Sequence, residues 1–216
     1  MSVEIRKVQT KKELKEFIHF ANDLYKGDEY YAPSLISDDY NTFDPKKNGA
    51  FDFCQAQMFL AYKEGKVAGR VMAIINNRAN KTWKVKQVRY GWIDFINDEE
   101  VAKALLDAVA AWGKERGMTD IAGPLGFTDF DPEGMLVEGF ERVATMIGIY
   151  NYSYYPQILE KLGYTKETDW MEYSLYFSRF SASFCCFCCN WYFFWLRSNA
   201  VVTIFRRSAD FWWIRL

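Results

Sequence analysis

The chain holds one histidine, five prolines and five cysteines in 216 residues, and each scarcity narrows its chemistry. His19 has no partner motif and falls off the apolar stripe of its helix, so it reads as a solvated residue rather than a catalyst. Five prolines with 13 glycines exclude collagen-like and Pro-rich low-complexity architectures. Cys185 with Cys188, and Cys186 with Cys189, satisfy the C-x-x-C spacing, but no second pair or histidine is near to complete a zinc site, and no metal is expected. A disulfide scaffold does not suit a chain whose only other cysteine is Cys54. No charge of either sign dominates: 27 Lys and Arg against 28 Asp and Glu leave −1, without the basic excess of a nucleic-acid partner. The N-terminal MSVEIRKVQTKKELKEF lacks an apolar leader core. The apolar stretch Phe184–Leu196 is 13 residues and is interrupted by Asn190, short of the ~20 that span a bilayer. The expectation is a cytoplasmic protein without a membrane span.

What is present is globular, with 50% hydrophobic and 25% charged residues, enough for one domain or a domain plus an appendage. The averages conceal a seam. Through Leu175 there are 16 Lys and 6 Arg against 27 acids, a balance of −5. Tyr176–Leu216 has five Arg, one acid (Asp210), no Lys, Gly or Pro, and 14 of the 40 aromatic residues. The chain is therefore expected to divide into a domain over 1–175 and an aromatic, cysteine-rich tail over 176–216. The tail is read as out-of-frame or otherwise aberrant translation that does not fold independently, and as a segment that would aggregate or seek membrane. Searching the gene's other frames for a Lys/Glu-rich continuation tests this.

The first part alternates strands and helices. Val3–Val8 alternates like a half-buried strand. Thr10 with Glu13 has capping-box spacing, and Leu14, Phe17, Ile18, Ala21, Leu24 and Tyr25 make one helical stripe. Residues 28–48 read as loop. Ala56–Tyr62 and Val67–Asn76 flank the turn KEGK, and Val88–Ile96 is a third strand. Asp98–Gly117 is a helix, with Val101, Ala104, Leu105, Ala108, Val109 and Trp112 as its apolar face and Gly117 at its C-terminal cap. Thr119–Ala122 leads as a short strand into GPLGFTDFDPEG, a helix covers Pro156–Leu162, and Tyr164 onward through Trp170–Leu175 supplies closing strands. This order favours a mixed sheet covered by helices, an α/β (α+β) class.

Three stretches resemble the GNAT superfamily of N-acyltransferases: the hairpin YKEGKVAGRVMAI, the helix and strand ALLDAVAAWGKERGMTDI, and the helix end ILEKLGY. The segments YNTFDPKKNGAFDFC, GWIDFINDEEVAKALLDAV, GPLGFTDFDPEGMLVEGF and IYNYSYYPQILEKLGY resemble the amino-terminal half of uncharacterised bacterial tandem proteins with two GNAT-like halves. The resemblance spans about residues 3–175. It implies a mixed, mostly antiparallel sheet flanked by helices, acetyl-CoA or another acyl-CoA as cofactor, and acyl transfer to a small-molecule primary amine. It equally suits a non-catalytic binding or structural half of a truncated two-domain protein.

In that family the acyl-CoA diphosphate rests on backbone amides of a Gly-rich loop opening a helix. The matching stretch INDEEVA has no glycine and no base; the backbone amides of Asn97, Asp98 and Glu99 would have to serve, beside carboxylates that suit N-capping and repel phosphate. The family's acid tyrosine, four residues before the terminal glycine of the last helix, corresponds here to Leu159, which cannot donate a proton. Tyr155 lies one turn earlier on that face and is the substitute candidate, against a packing role. Asp94 and Asp129 are the candidate general bases. Asp131 and Glu133, in the acidic GPLGFTDFDPEG loop, and Tyr152, in a run of four tyrosines, are candidates to bind a cationic substrate. Turn chemistry accounts equally well for Asp131-Pro-Glu-Gly. An EF-hand calcium spacing is absent.

Overall fold

The computed structural model describes residues 2–143, 149–176 and 195–208, the stretch from Glu172 on as backbone alone. The elements run β1 (Glu4–Lys7), α1 (Lys11–Leu24), α2 (Ile36–Thr42), β2 (Cys54–Lys63), β3 (Lys66–Asn76), α3 (Asn77–Trp83), β4 (Gln87–Phe95), α4 (Glu99–Lys114), β5 (Asp120–Gly123), β6 (Met135–Glu138), α5 (Tyr154–Lys161), β7 (Thr165–Tyr176) and β8 (Trp195–Ser208). One sheet carries the eight described strands: β1-β2-β3-β4-β5-β8 lie side by side, β6 follows β5 along the same edge of β8, and β7 lies on its other edge. Only β4–β5 is parallel; every other pairing is antiparallel. The expected mixed, mostly antiparallel sheet flanked by helices is the fold observed.

Local rules explain most elements. Thr10 accepts the Glu13 N–H, and the Glu13 carboxylate accepts the Thr10 N–H at 2.9 Å, which starts α1. Glu64 and Gly65, at φ 55 and 74, form the tight turn between β2 and β3. The two sheet faces bury separate clusters. On one, Val101, Leu105, Val109 and Trp112 of α4 pack with Ile158 and Leu159 of α5 on Val71, Ala73 and Ile75. On the other, Phe17 and Ile18 of α1 pack with Phe43 and Phe127 on Met72 and Ile74.

Four elements depart from the sequence reading. α2 forms inside the stretch read as loop; it buries no residue and has no side-chain cap, so no apolar stripe announces it. α3 and β6 are short, and β6 directly follows the acidic GPLGFTDFDPEG loop, in a stretch where no strand is expected. The fourth is β8. The compositional seam at Tyr176 is not a seam in the sheet, because the backbone of Trp195–Ser208 runs between β7 on one side and β5 and β6 on the other. Cys185–Cys189 lie outside the described residues.

Candidate functional site

Two strands that separate create the site. β4 and β5 pair only over Gln87–Arg89 and Asp120–Ala122. The Leu125 N–H then donates to the Tyr90 carbonyl at 2.9 Å, and β4 continues to Phe95 without β5. Gly91 is required at the crossing, since a Cβ there would stand 2.6 Å from the Leu125 carbonyl oxygen. The next residue, Trp92, has φ 45, and the β3 register slips from Met72↔Gly91 to Arg70↔Asp94. This β-bulge turns the strand where its neighbour leaves, and bulges of this kind recur beside functional sites. Trp92 is half-buried between Phe43 and Phe127, with ring centroids at 5.2 and 5.5 Å.

The bulge sets Asp94 opposite Arg70, and both are buried. Arg70 Nε donates to Asp94 Oδ2 at 2.8 Å, and its Nη1 donates to the Phe17 carbonyl at 2.8 Å. Tyr25 Oη lies 3.0 Å from Asp94 Oδ1 and 2.8 Å from Tyr155 Oη. A phenol carries one proton and a paired carboxylate only accepts, so the order is fixed. The Phe95 N–H donates to Tyr155 Oη (2.9 Å), Tyr155 donates to Tyr25, and Tyr25 donates to Asp94. Burial first, then the neighbouring Tyr155 and Asp94, pushes the Tyr25 phenol well above the usual tyrosine range. Burial and Asp94 do the same to Tyr155.

The end of β4 is thereby closed. Tyr154 Oη donates to the Phe95 carbonyl at 2.7 Å while Tyr155 takes the Phe95 N–H and stacks on its ring at 4.1 Å. These are the peptide groups that an extended, amide-bearing arm would need from an open strand edge.

The opening of α4 is closed as well. Asp98 Oδ1 accepts the N–H groups of Glu100 and Val101 at 2.9 and 3.4 Å, and Oδ2 is ion-paired with Lys63, which also meets Glu100 at 3.4 Å. The Lys63 hydrogen bond holds the Asp98 carboxyl below its usual range. A carboxylate thus holds the amides on which the family resemblance would seat a phosphate, leaving the Glu99 amide outside its set. Asn97 and Glu99 are exposed at this turn. The residues present do not fit a diphosphate.

The structure brings Asp94 and Tyr155 into one network but keeps both from solvent, with every oxygen of Asp94 engaged. Asp129 is elsewhere, exposed on the acidic loop. Asp131 Oδ2 accepts the Thr128 N–H and Oγ1 at 2.8 and 3.1 Å, so it closes its own turn. Tyr152 packs on Tyr25 at 4.9 Å and donates to the Leu24 carbonyl at 3.3 Å. Leu159 is a core residue, fully buried. Tyr25, Arg70, Lys63 and Tyr154 complete the site; of these the sequence reading marked only Tyr154, within its run of four tyrosines. Arg70 also left a signal, as the one charge inside the run VAGRVMAII.

Glu133 behaves differently from its neighbours. Burial, with Asp129 beside it, pushes its carboxyl up to about 7. A carboxyl raised on folding gives stability that is complete below its unfolded range and lost as pH rises through about 7. Glu133→Gln therefore gains urea resistance relative to the parent at pH 8 and not at pH 3.5, below the ordinary carboxyl range; equal gains at both would remove the raised carboxyl.

Among the described residues, no cluster of three or more His, Cys, Asp or Glu could hold a metal ion, and no helix is long and apolar enough to cross a membrane.

No family model matches the chain. It is 31% identical over 172 residues to Protein YghO of Escherichia coli (strain K12), a match covering 78% of this chain and 44% of that protein. It is 29% identical over 167 residues to the bacterial ceramide synthase of Caulobacter vibrioides (strain NA1000 / CB15N), covering 77% of this chain and 44% of that one. The chain spans less than half the length of these curated relatives. Among solved structures it is similar to an N-acetyltransferase from Staphylococcus aureus Mu50, with TM-score 0.55 and 12% identity over 97% of this chain and 99% of the other. A tandem GNAT protein from the clavulanic acid biosynthesis pathway gives TM-score 0.54 and 9% identity over 79% of this chain and 46% of that one. A GNAT superfamily phosphinothricin acetyltransferase from Sinorhizobium meliloti, in complex with AcCoA, gives 0.54 and 12% over 96% and 89%. The fold is that of the GNAT superfamily.

Proposed function

We propose that the chain is a GNAT-fold module of an acyl-CoA-dependent N-acyltransferase, one that forms an amide from an acyl thioester and a primary amine, and that in this module the acyl-CoA seat is closed. The chemistry is supported by the relatives: a ceramide synthase joins an acyl group to an amine, and the match covers 44% of it. The tandem GNAT protein, matched over 46% of its length, supports a two-module organisation.

One observation carries the closed seat: the Asp98 carboxylate, held by Lys63, occupies the amides that open α4. Displacing it would break an ion pair and uncap the helix, at ~1 kcal/mol for the cap alone. The tyrosines on Phe95 remove the strand edge beside it. What this chain's residues do instead is fix the bulge of β4 and enclose it in aromatic rings.

Acetyl-CoA at millimolar concentration is expected to leave the melting temperature of the full chain unchanged. A bound ligand at 100 times its dissociation constant would add ~2.7 kcal/mol and raise the transition by several degrees. Such a rise would overturn the closed seat and favour the second reading, in which this module is itself the catalyst. The 29% identity to the ceramide synthase over 77% of this chain is the observation on that side.

A further inference from the structure

The sharpest unexplained surface feature is the end of α3. Its start is tied down: Asn76 Oδ1 accepts the Ala79 N–H and Nδ2 donates to the Phe127 carbonyl, both at 2.9 Å. Its end is equally fixed. Lys84 adopts the left-handed conformation at φ 54, the Val85 N–H returns to the Asn80 carbonyl at 3.0 Å, and Asn80 Nδ2 donates to the Gln87 carbonyl at 2.9 Å. On this braced turn Trp83 is 74% exposed.

The same stretch is basic throughout. Residues 77–87, NRANKTWKVKQ, hold Arg78, Lys81, Lys84 and Lys86 and no acid, in a chain of net charge −1. Arg78 lies over the Phe53 ring at 4.2 Å. Lys81, Lys84 and Lys86 are exposed, and none forms a salt bridge among the described residues. Flanking acids are Asp120, whose N–H meets the Lys86 carbonyl at 3.0 Å, Asp52, next to Phe53, and Asp131, whose charge acts on Cys54 together with that of Arg78. Lysines at a helix C-terminus satisfy its dipole. That accounts for Lys81 and Lys84 but not for an indole held in water.

We propose that this turn is a docking site for an anionic phospholipid surface, with Trp83 entering the headgroup layer and Arg78, Lys81, Lys84 and Lys86 meeting the lipid phosphates. Tryptophan has the apolar body and polar edge that suit this layer. Clustered bases supply the attraction, which decays within a Debye length. A single-stranded nucleic acid would need successive aromatic platforms along a basic groove. This stretch has one aromatic ring. The site is independent of whether the acyl-CoA seat is closed.

Flotation of the full chain with vesicles tests it. Vesicles of phosphatidylcholine with about one third phosphatidylglycerol are expected to carry the protein, and pure phosphatidylcholine is not. Raising salt to ~0.5 M releases it. Lys81→Glu with Lys84→Glu lowers partitioning at least ~25-fold, since each charge near the surface is worth about fivefold. Trp83→Ala lowers it about tenfold. These side chains stand in solvent, so thermal midpoints should match the parent and exclude misfolding as the cause. Phe130→Ala is the control, an aromatic 94% exposed but flanked by Asp129 and Asp131, and it should leave binding unchanged. Equal binding to neutral vesicles, no binding, or binding untouched by the Lys and Trp83 changes overturns the site. So does a loss in Phe130→Ala equal to that in Trp83→Ala, or tighter binding to a labelled single-stranded oligonucleotide than to vesicles.

Discussion

Asp94→Ala is expected to lower the unfolding free energy by about 3–5 kcal/mol, read from urea denaturation midpoints. The loss comes less from the ion pair than from what it leaves behind. Arg70 is 6% exposed, and without Asp94 its guanidinium keeps the Phe17 and Ile18 carbonyls and the Phe17 ring but loses its paired carboxylate. A buried, uncompensated charge is far costlier than an absent pair. Arg70→Met combined with Asp94→Leu should therefore recover most of the stability that Asp94→Ala loses, because shape is kept and no charge is stranded. A loss below ~1 kcal/mol in the single variant would mean that water reaches the guanidinium, and would free Asp94 to act as a base. The same pair would give most of its effect to turnover rather than to stability if Asp94 were a catalytic base.

The second large effect lies one link further along. Tyr155→Phe removes the acceptor of the Phe95 N–H and the donor to Tyr25. Tyr25→Phe removes the donor to Asp94. Each should cost about 1–3 kcal/mol, the penalty for leaving a buried polar group without its partner. Together they should cost less than their sum by at least ~0.5 kcal/mol, because the second deletion acts on a chain already broken. Additive losses would show that the three groups do not form one directional path. The network bears on function directly: a Tyr155 phenol whose only proton points at Tyr25 cannot also protonate a departing thiolate.

The reading of Asp98 follows the same logic. In the sequence, three acids and no glycine at INDEEVA already argue against a phosphate seat. The structure adds the reason that the acids are tolerated. Lys63, the last residue of β2, neutralises Asp98 and approaches Glu100, so the helix start is electrostatically complete before any ligand arrives.

Elements with a period were legible in the sequence. The alternation of Val3–Val8, the stripe of α1 with its Thr10–Glu13 box, the Val101, Leu105, Val109 and Trp112 face of α4 and the Glu64-Gly65 turn follow from short-range sterics and burial, which a window of a dozen residues contains. On α4, Ala102 and Leu106 are buried in place of the expected Ala104 and Ala108. The fold class followed from their order. Short elements with no buried stripe, such as α2, did not announce themselves, since nothing in their local pattern distinguishes them from loop.

Partners were decided only in three dimensions. Tyr25 finds Asp94 across 69 residues and Tyr155 across 130, and Lys63 finds Asp98 across 35. β8 enters the sheet from a segment whose composition set it apart from the rest of the chain. Hydrophobic period and capping are properties of neighbours in sequence. Which carboxylate meets which cation, and which strand fills a gap, depends on where the packed sheet brings distant residues within hydrogen-bond reach.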